Sequence, residues 1–123
     1  MEFIEAPAFT RCIADYMDDE AYRLLQSTLA QNPDAGDVMP GTGGFRKLRW
    51  ADPRRGKGRR GGMRVIYYNF SLDQQIWLIT VYSKDEVDDL TSEQKRALKH
   101  AIAVELEWRK ARSSVRQRTG RKH

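Results

Sequence analysis

Three β-strand candidates follow one another in the middle of the chain, at Phe45–Trp50, Met63–Phe70 and Gln75–Tyr82. Only residues 71–74 separate the second from the third, a hairpin-length connection, so these two are expected to pair antiparallel. The remaining segments must pack on that sheet. Residues 2–6 alternate polar and apolar and predict a short strand limited by Pro7. Phe9, Cys12, Ile13, Tyr16 and Met17 recur at helical spacing. A second helix, capped by Asp18 or Asp19, buries Ala21, Leu24, Leu25 and Leu29 and stops before Pro33. Residues 32–44 hold four glycines and two prolines and predict a loop.

Thr91 and Gln94 have the spacing of a capping box, which starts a long helix running to about Arg112. One stripe of it carries Leu98, Ala101, Ile102 and Glu105, and another carries Val104, Trp108 and Ala111. The expected fold is therefore α+β: one domain over residues 1–112, built on a twisted, mostly antiparallel sheet of about four strands, with two N-terminal helices and a C-terminal helix. The helices are expected on one face, leaving the other for function. Residues 113–123 lack periodicity and are expected to form a mobile, basic tail.

Charge is segregated along the chain. Residues 1–45 carry −6, 46–64 carry +8, 65–108 carry −4 and 109–123 carry +7, giving the net +5. Two basic blocks on an acidic body form a local footprint for a polyanion, most commonly a phosphodiester backbone. The single cysteine, Cys12, excludes an internal disulfide and fits an apolar pattern. One cysteine and two distant histidines predict no zinc site and no cofactor. No apolar run has the length of a signal peptide or membrane span, so a soluble, cytoplasmic protein with no membrane partner is expected.

The first basic block holds nine cations and one acid, Asp52, between Arg46 and Arg64. Its ends lie on strand candidates, where side chains alternate between faces. Lys47 and Arg49 then share one face with Phe45, while Arg46, Leu48 and Trp50 take the other. Arg64, Ile66 and Tyr68 share a face on the next strand. On the third, Ile76, Leu78, Thr80 and Tyr82 are expected to alternate with Trp77, Ile79 and Val81, and Lys84 follows the strand's end. A concave sheet can gather Lys47, Arg49, Arg64, Tyr82 and Lys84 on one side.

The loop between carries Arg54, Arg55, Lys57, Arg59 and Arg60 among glycines, a composition suited to tracking a phosphate backbone. It is not a phosphate-binding P-loop, since Lys57 is followed by Gly58. Arg46, these loop cations and Tyr68 are the expected RNA contacts. Of the interleaved aromatics Trp50, Tyr67, Tyr68, Trp77 and Tyr82, most are expected in the core, with one or two free to stack on an unpaired base. RNA carries its own nucleophile, the 2′-OH. Cations can stabilise the phosphorane, and a Tyr or Lys whose pKa is lowered by neighbouring charge can transfer protons, without a metal.

The runs NPDAGDVMPGTGGFRKLRW, GKGRRGGMRVIYY and VYSKDEVDDLTSEQK, in that order from Asn32 to Lys95, resemble the HigB-type toxins of the RelE/ParE superfamily. The resemblance implies the toxin of a type II toxin–antitoxin pair, a ribosome-dependent mRNA endonuclease acting in the ribosomal A site. It implies that Lys47 and Arg49 bind the scissile phosphate, that Arg64 stabilises the transition state, and that Tyr82 and Lys84 transfer protons or add charge. The implied partners are a helix-turn-helix antitoxin of the HigA type, mRNA, ribosomal RNA, and operator DNA through the antitoxin complex. Two alternatives stay open: a ParE-like gyrase inhibitor without nuclease activity, and a plain nucleic-acid-binding adaptor.

Overall fold

β4 (Met63–Phe70) and β5 (Gln75–Ser83) form the centre of a five-stranded sheet, joined by a 3₁₀ turn at Ser71–Asp73. The computed structural model describes residues 1–51, 62–87 and 89–120, with side chains to 113. The chain runs through β1 (Glu2–Glu5), α1 (Pro7–Tyr16), α2 (Asp19–Gln31), β2 (Asp37–Val38) and β3 (Arg46–Trp50) before β4 and β5, and ends in α3 (Ser92–Gly120). The sheet order is β1-β5-β4-β3-β2, antiparallel except where β1 pairs parallel with β5. The fold is α+β, as expected. A fifth strand comes from Asp37–Val38, inside the segment expected to be wholly loop.

Local chemistry explains the element ends. Asp18 caps α2 by accepting the Ala21 N–H at 2.9 Å. Pro33 follows α2 closely, where a proline cannot continue the helix. The capping box forms in both directions: Gln94 N–H donates to Thr91 Oγ1 at 3.1 Å, and Thr91 N–H donates to Gln94 Oε1 at 2.8 Å. In the Pro-Gly-Thr-Gly-Gly turn, the fully buried Thr42 hydroxyl donates to Met39 O (2.8 Å) and accepts from Phe45 N–H (3.1 Å). Gly43 has φ +79°, and a Cβ there would lie 2.8 Å from Ile102 Cγ2. Only glycine lets this turn seat against α3 without a shift.

Two cores sandwich the sheet. On one face, Phe9 of α1 and Ala21, Leu25 and Leu29 of α2 pack on Leu48, Val65, Tyr67, Ile76, Leu78 and Val81. Leu24, expected inside, is exposed. On the other face, Ile102 and Leu98 of α3 pack against Met39, Phe45, Ile66, Phe70, Tyr68 and Trp77. This corrects the expectation that the helices gather on one face: α3 covers part of the second. It also runs to Gly120 rather than ending near Arg112. The apolar period fades there, but no Gly or Pro occurs before Gly120, so backbone propensity continues the helix. Residues 121–123 of the expected tail lie outside the described residues.

Expected strand alternation fails at one place. Ile66 pairs with Thr80 but Tyr67 pairs with Leu78, so Ile79 is an extra residue in β5. This bulge flips the parity of the strand. Ile76 and Leu78 enter the core beneath α1 and α2 alongside Val81, while Thr80 and Tyr82 stay on the α3 face.

Candidate nucleic-acid interface

The register places Arg49 opposite Arg64 and Arg64 opposite Tyr82, so the three form one row across β3, β4 and β5. Directly paired residues project from the same face of a sheet. Lys47 lies in the adjoining row, across from Ile66. Two arginines directly opposite each other destabilise a free sheet. An anion bound between them removes that cost.

The members of the row differ in exposure. Arg49 is exposed. Arg64 is only 9% exposed, and its Nη1 donates to the carbonyls of Gly62 (3.1 Å) and Met63 (3.4 Å). Among the described residues, no ion pair involves Arg49, Arg64 or Lys84. Tyr82 is 7% exposed, and its buried hydroxyl has no hydrogen-bond partner among the described residues. Lys84 is exposed at the end of β5, where its backbone N–H donates to Gly62 O at 3.3 Å.

Burial, reinforced by Asp89, pushes the Tyr82 phenol above its ordinary value of 10.0, and nearby Arg64 only partly offsets the rise. This corrects the expectation of a tyrosine whose pKa falls beside cations. Desolvation disfavours phenolate more than one arginine favours it. Tyr82 is therefore a phenol at neutral pH, a hydrogen-bond and proton donor rather than a base.

Other expected contacts lie elsewhere. Arg46 occupies the opposite side of β3, where Nη1 donates to Gly36 O (2.7 Å) and Asp34 O (3.3 Å) and Nη2 pairs with Asp34 (3.3 Å). It ties the strand to the preceding loop and is not grouped with Arg49 and Arg64. Tyr68 shares their face but stands within an aromatic run, 5.2 Å from Phe45 and 4.6 Å from Phe70 between ring centroids. It is half-buried in the α3 core, where stacking on a base would require that packing to open. Arg54, Arg55, Lys57, Arg59 and Arg60 lie outside the described residues.

Two residues at the site were missed by sequence reasoning. Asp89 lies 3.5 Å from Lys47 Nζ and 3.2 Å from Lys95 Nζ, through different carboxylate oxygens. The acidic run 85–89 was the available signal for Asp89. Lys95 has none, being one of several cations on α3. Burial works to raise the Asp89 pKa, but the Leu90 N–H, Lys95 and Lys47 outweigh it and hold the carboxyl below its usual range.

No protein-family model matches the chain. Among solved structures, the chain is similar to the E. coli toxin RelE, in a double arginine mutant in the free state. That alignment has a TM-score of 0.47 and 13% sequence identity, and covers 78% of this chain and 93% of that chain.

Proposed function

We propose that this chain is the toxin of a type II toxin–antitoxin pair and an endonuclease that cuts mRNA on the ribosome, in the manner of the HigB-type toxins its motifs resemble. The observation that carries this reading is the row Arg49–Arg64–Tyr82 with Lys47 beside it: three cations on one sheet face, with a phenol that has no hydrogen-bond partner among the described residues.

Cleavage transfers the phosphate internally. The 2′-oxygen attacks phosphorus as its proton passes to solvent water, the bond to the 5′-oxygen breaks, and that oxygen takes up a proton. The products are a 2′,3′-cyclic phosphate and a 5′-hydroxyl. Lys47 and Arg49 hold the phosphate. Arg64, fixed by two backbone carbonyls, donates to the equatorial oxygens as charge develops. Tyr82 suits protonation of the leaving 5′-oxygen, because its phenol keeps its proton at neutral pH. Lys84 adds positive charge at the end of the strand. An antitoxin of the HigA type, ribosomal RNA, and operator DNA through the toxin–antitoxin complex are the corresponding partners.

The test is primer extension on mRNA from cells expressing the protein, together with cleavage of mRNA on programmed ribosomes in vitro. Discrete cuts within translated frames are expected, with translation stopping before replication. Intact mRNA with replication stopping first sinks the nuclease reading in favour of gyrase inhibition.

A further inference from the structure

Lys47 and Lys95 come from distant parts of the sequence, β3 and the first turn of α3, yet their ammonium groups meet on one carboxylate. Asp89 Oδ1 lies 3.5 Å from Lys47 Nζ and accepts the Leu90 N–H at 2.8 Å, while Oδ2 lies 3.2 Å from Lys95 Nζ. Two lysines and one backbone amide thus converge on the two oxygens of a single anion. Lys47 stands in the row adjoining Arg49–Arg64–Tyr82, which places the cluster beside it, and the Asp89 charge contributes to the raised pKa of the Tyr82 phenol. A phosphodiester presents two non-bridging oxygens much as a carboxylate does, and lysine binds it as a point charge without demanding a fork geometry.

We infer that Lys95 and the Leu90 amide extend the grip of Lys47 from the scissile phosphate to a neighbouring one, at a position that Asp89 occupies in the free protein and vacates when RNA binds. The assignment rests on RNA being the substrate. It makes Lys95 a substrate contact and Asp89 a resident competitor. Asp89 and both lysines are partly exposed, so the ion pairs are of the weak, solvent-screened kind and a polyanion can displace the carboxylate. The device tunes affinity: single phosphates and other small anions compete poorly with a tethered carboxylate, whereas an RNA strand already held by Arg49 and Arg64 competes well.

Anisotropy of a labelled ten-nucleotide single-stranded RNA, titrated with the full chain at several salt concentrations, tests this. Lys95→Ala is expected to weaken binding and make the plot of log affinity against log salt shallower by about 0.7, the loss of one phosphate contact on a single strand. Lys47→Ala serves as the reference for such a loss. Asp89→Asn, nearly isosteric, is expected to tighten binding roughly two- to tenfold by removing the competing charge. A Lys95→Ala slope equal to wild type, beside a shallower Lys47→Ala slope, overturns the Lys95 assignment. An Asp89→Asn affinity equal to or weaker than wild type overturns the competitor role and leaves Asp89 as a brace for the turn before α3. Wild-type protein that binds the oligonucleotide with this pattern but leaves mRNA intact on ribosomes rejects the nuclease reading alone. Wild-type protein that fails to bind at low salt rejects both.

Discussion

Two arginines at the same face of the sheet, Arg64 of β4 and Arg109 of α3, are held in opposite ways. Arg109 projects from α3 and stacks 3.7 Å over the Phe70 ring. Its guanidinium bonds Asp73 at 2.7 Å, Glu105 at 2.9 Å and Gln75 at 2.7 Å. Two carboxylates neutralise it, and its work is to lock α3 to the turn after β4. Arg64 is held by two main-chain carbonyls, which orient the guanidinium without cancelling its charge. A cation that is positioned but not neutralised stays available to an anion that arrives later. Among the described residues, carboxylate pairing therefore distinguishes these two arginines better than burial does.

The largest expected effect tests that contrast directly. Arg64→Ala should lower the rate of mRNA cleavage by about 10²- to 10³-fold, the usual loss for one preorganised transition-state donor. Arg109→Ala should leave the rate per folded molecule unchanged and lower the unfolding free energy by about 2 kcal/mol, through loss of charge-assisted hydrogen bonds. Single-turnover cleavage on programmed ribosomes and urea denaturation give the two readouts. A reversed pattern breaks the comparison.

The same logic applies to two tyrosine hydroxyls on β4 and β5. Tyr67 donates to Pro33 O at 2.7 Å and accepts the Gly36 N–H at 2.9 Å. Tyr82 has no such partner among the described residues. Tyr82→Phe should therefore cost no stability and slow cleavage by about 10²-fold, the lower range for a general acid. Tyr67→Phe should cost about 1–3 kcal/mol, because it strands a buried donor and acceptor, and leave the rate unchanged. Equal rates for Tyr82→Phe and wild type would reduce Tyr82 to a packing residue.

Much of this contrast was legible before the structure, and the part that was not has definite causes. The faces of Lys47, Arg49 and Arg64 follow from simple alternation, because β3 and β4 pair without interruption. Alternation misplaces Ile76 and Leu78, because the extra residue, Ile79, is as apolar as its neighbours and leaves no mark in the pattern. Alternation gives Tyr82 the face it has, since it follows the bulge, but not the direction of its pKa shift. A string of cations in sequence says nothing about how deeply a phenol is buried. Arg109 could not be told from the other cations near the C-terminus, because Asp73 and Gln75 meet it only through tertiary folding. Asp89 stands out as part of an acidic run, but Lys47 and Lys95 meet it only through tertiary folding.

Alkaline pH sharpens the tyrosine comparison with a smaller effect. Burial raises the pKa of Tyr22, Tyr67 and Tyr82, and the 2.6 Å bond from Tyr22 to Glu5 adds to the rise there. The folded protein holds these phenol protons more tightly than the unfolded chain does. Their contribution is thus complete below the unfolded value of 10.0 and is lost as pH rises through the folded values. The urea midpoint should fall above about pH 10. Tyr22→Phe should flatten that fall most, since Tyr22 carries the largest rise. Cleavage that depends on the protonated Tyr82 should show no loss from Tyr82 ionisation between neutrality and pH 10. A loss near neutrality that Tyr82→Phe abolishes would make Tyr82 a lowered, not a raised, phenol.

The smallest effect belongs to Arg46, the cation that shares β3 with Lys47 and Arg49 but faces the other way. Its ion pair with Asp34 is largely solvent-exposed on the Asp34 side, which limits its worth to about 0–1 kcal/mol. The bond to Gly36 O at 2.7 Å anchors the loop that also receives the Tyr67 hydroxyl. Arg46→Ala should therefore lower stability slightly and change neither the cleavage rate nor the salt dependence of binding to a short single-stranded RNA. Arg49→Ala, three residues along the same strand, should make that salt plot shallower by about 0.7. The two variants remove the same charge from the same strand and alter net charge identically. Any difference between their salt plots therefore measures the face of the sheet on which the charge stands. Equal slopes would mean that RNA responds only to the protein's total charge, and that the row across β3, β4 and β5 has no privileged place in binding.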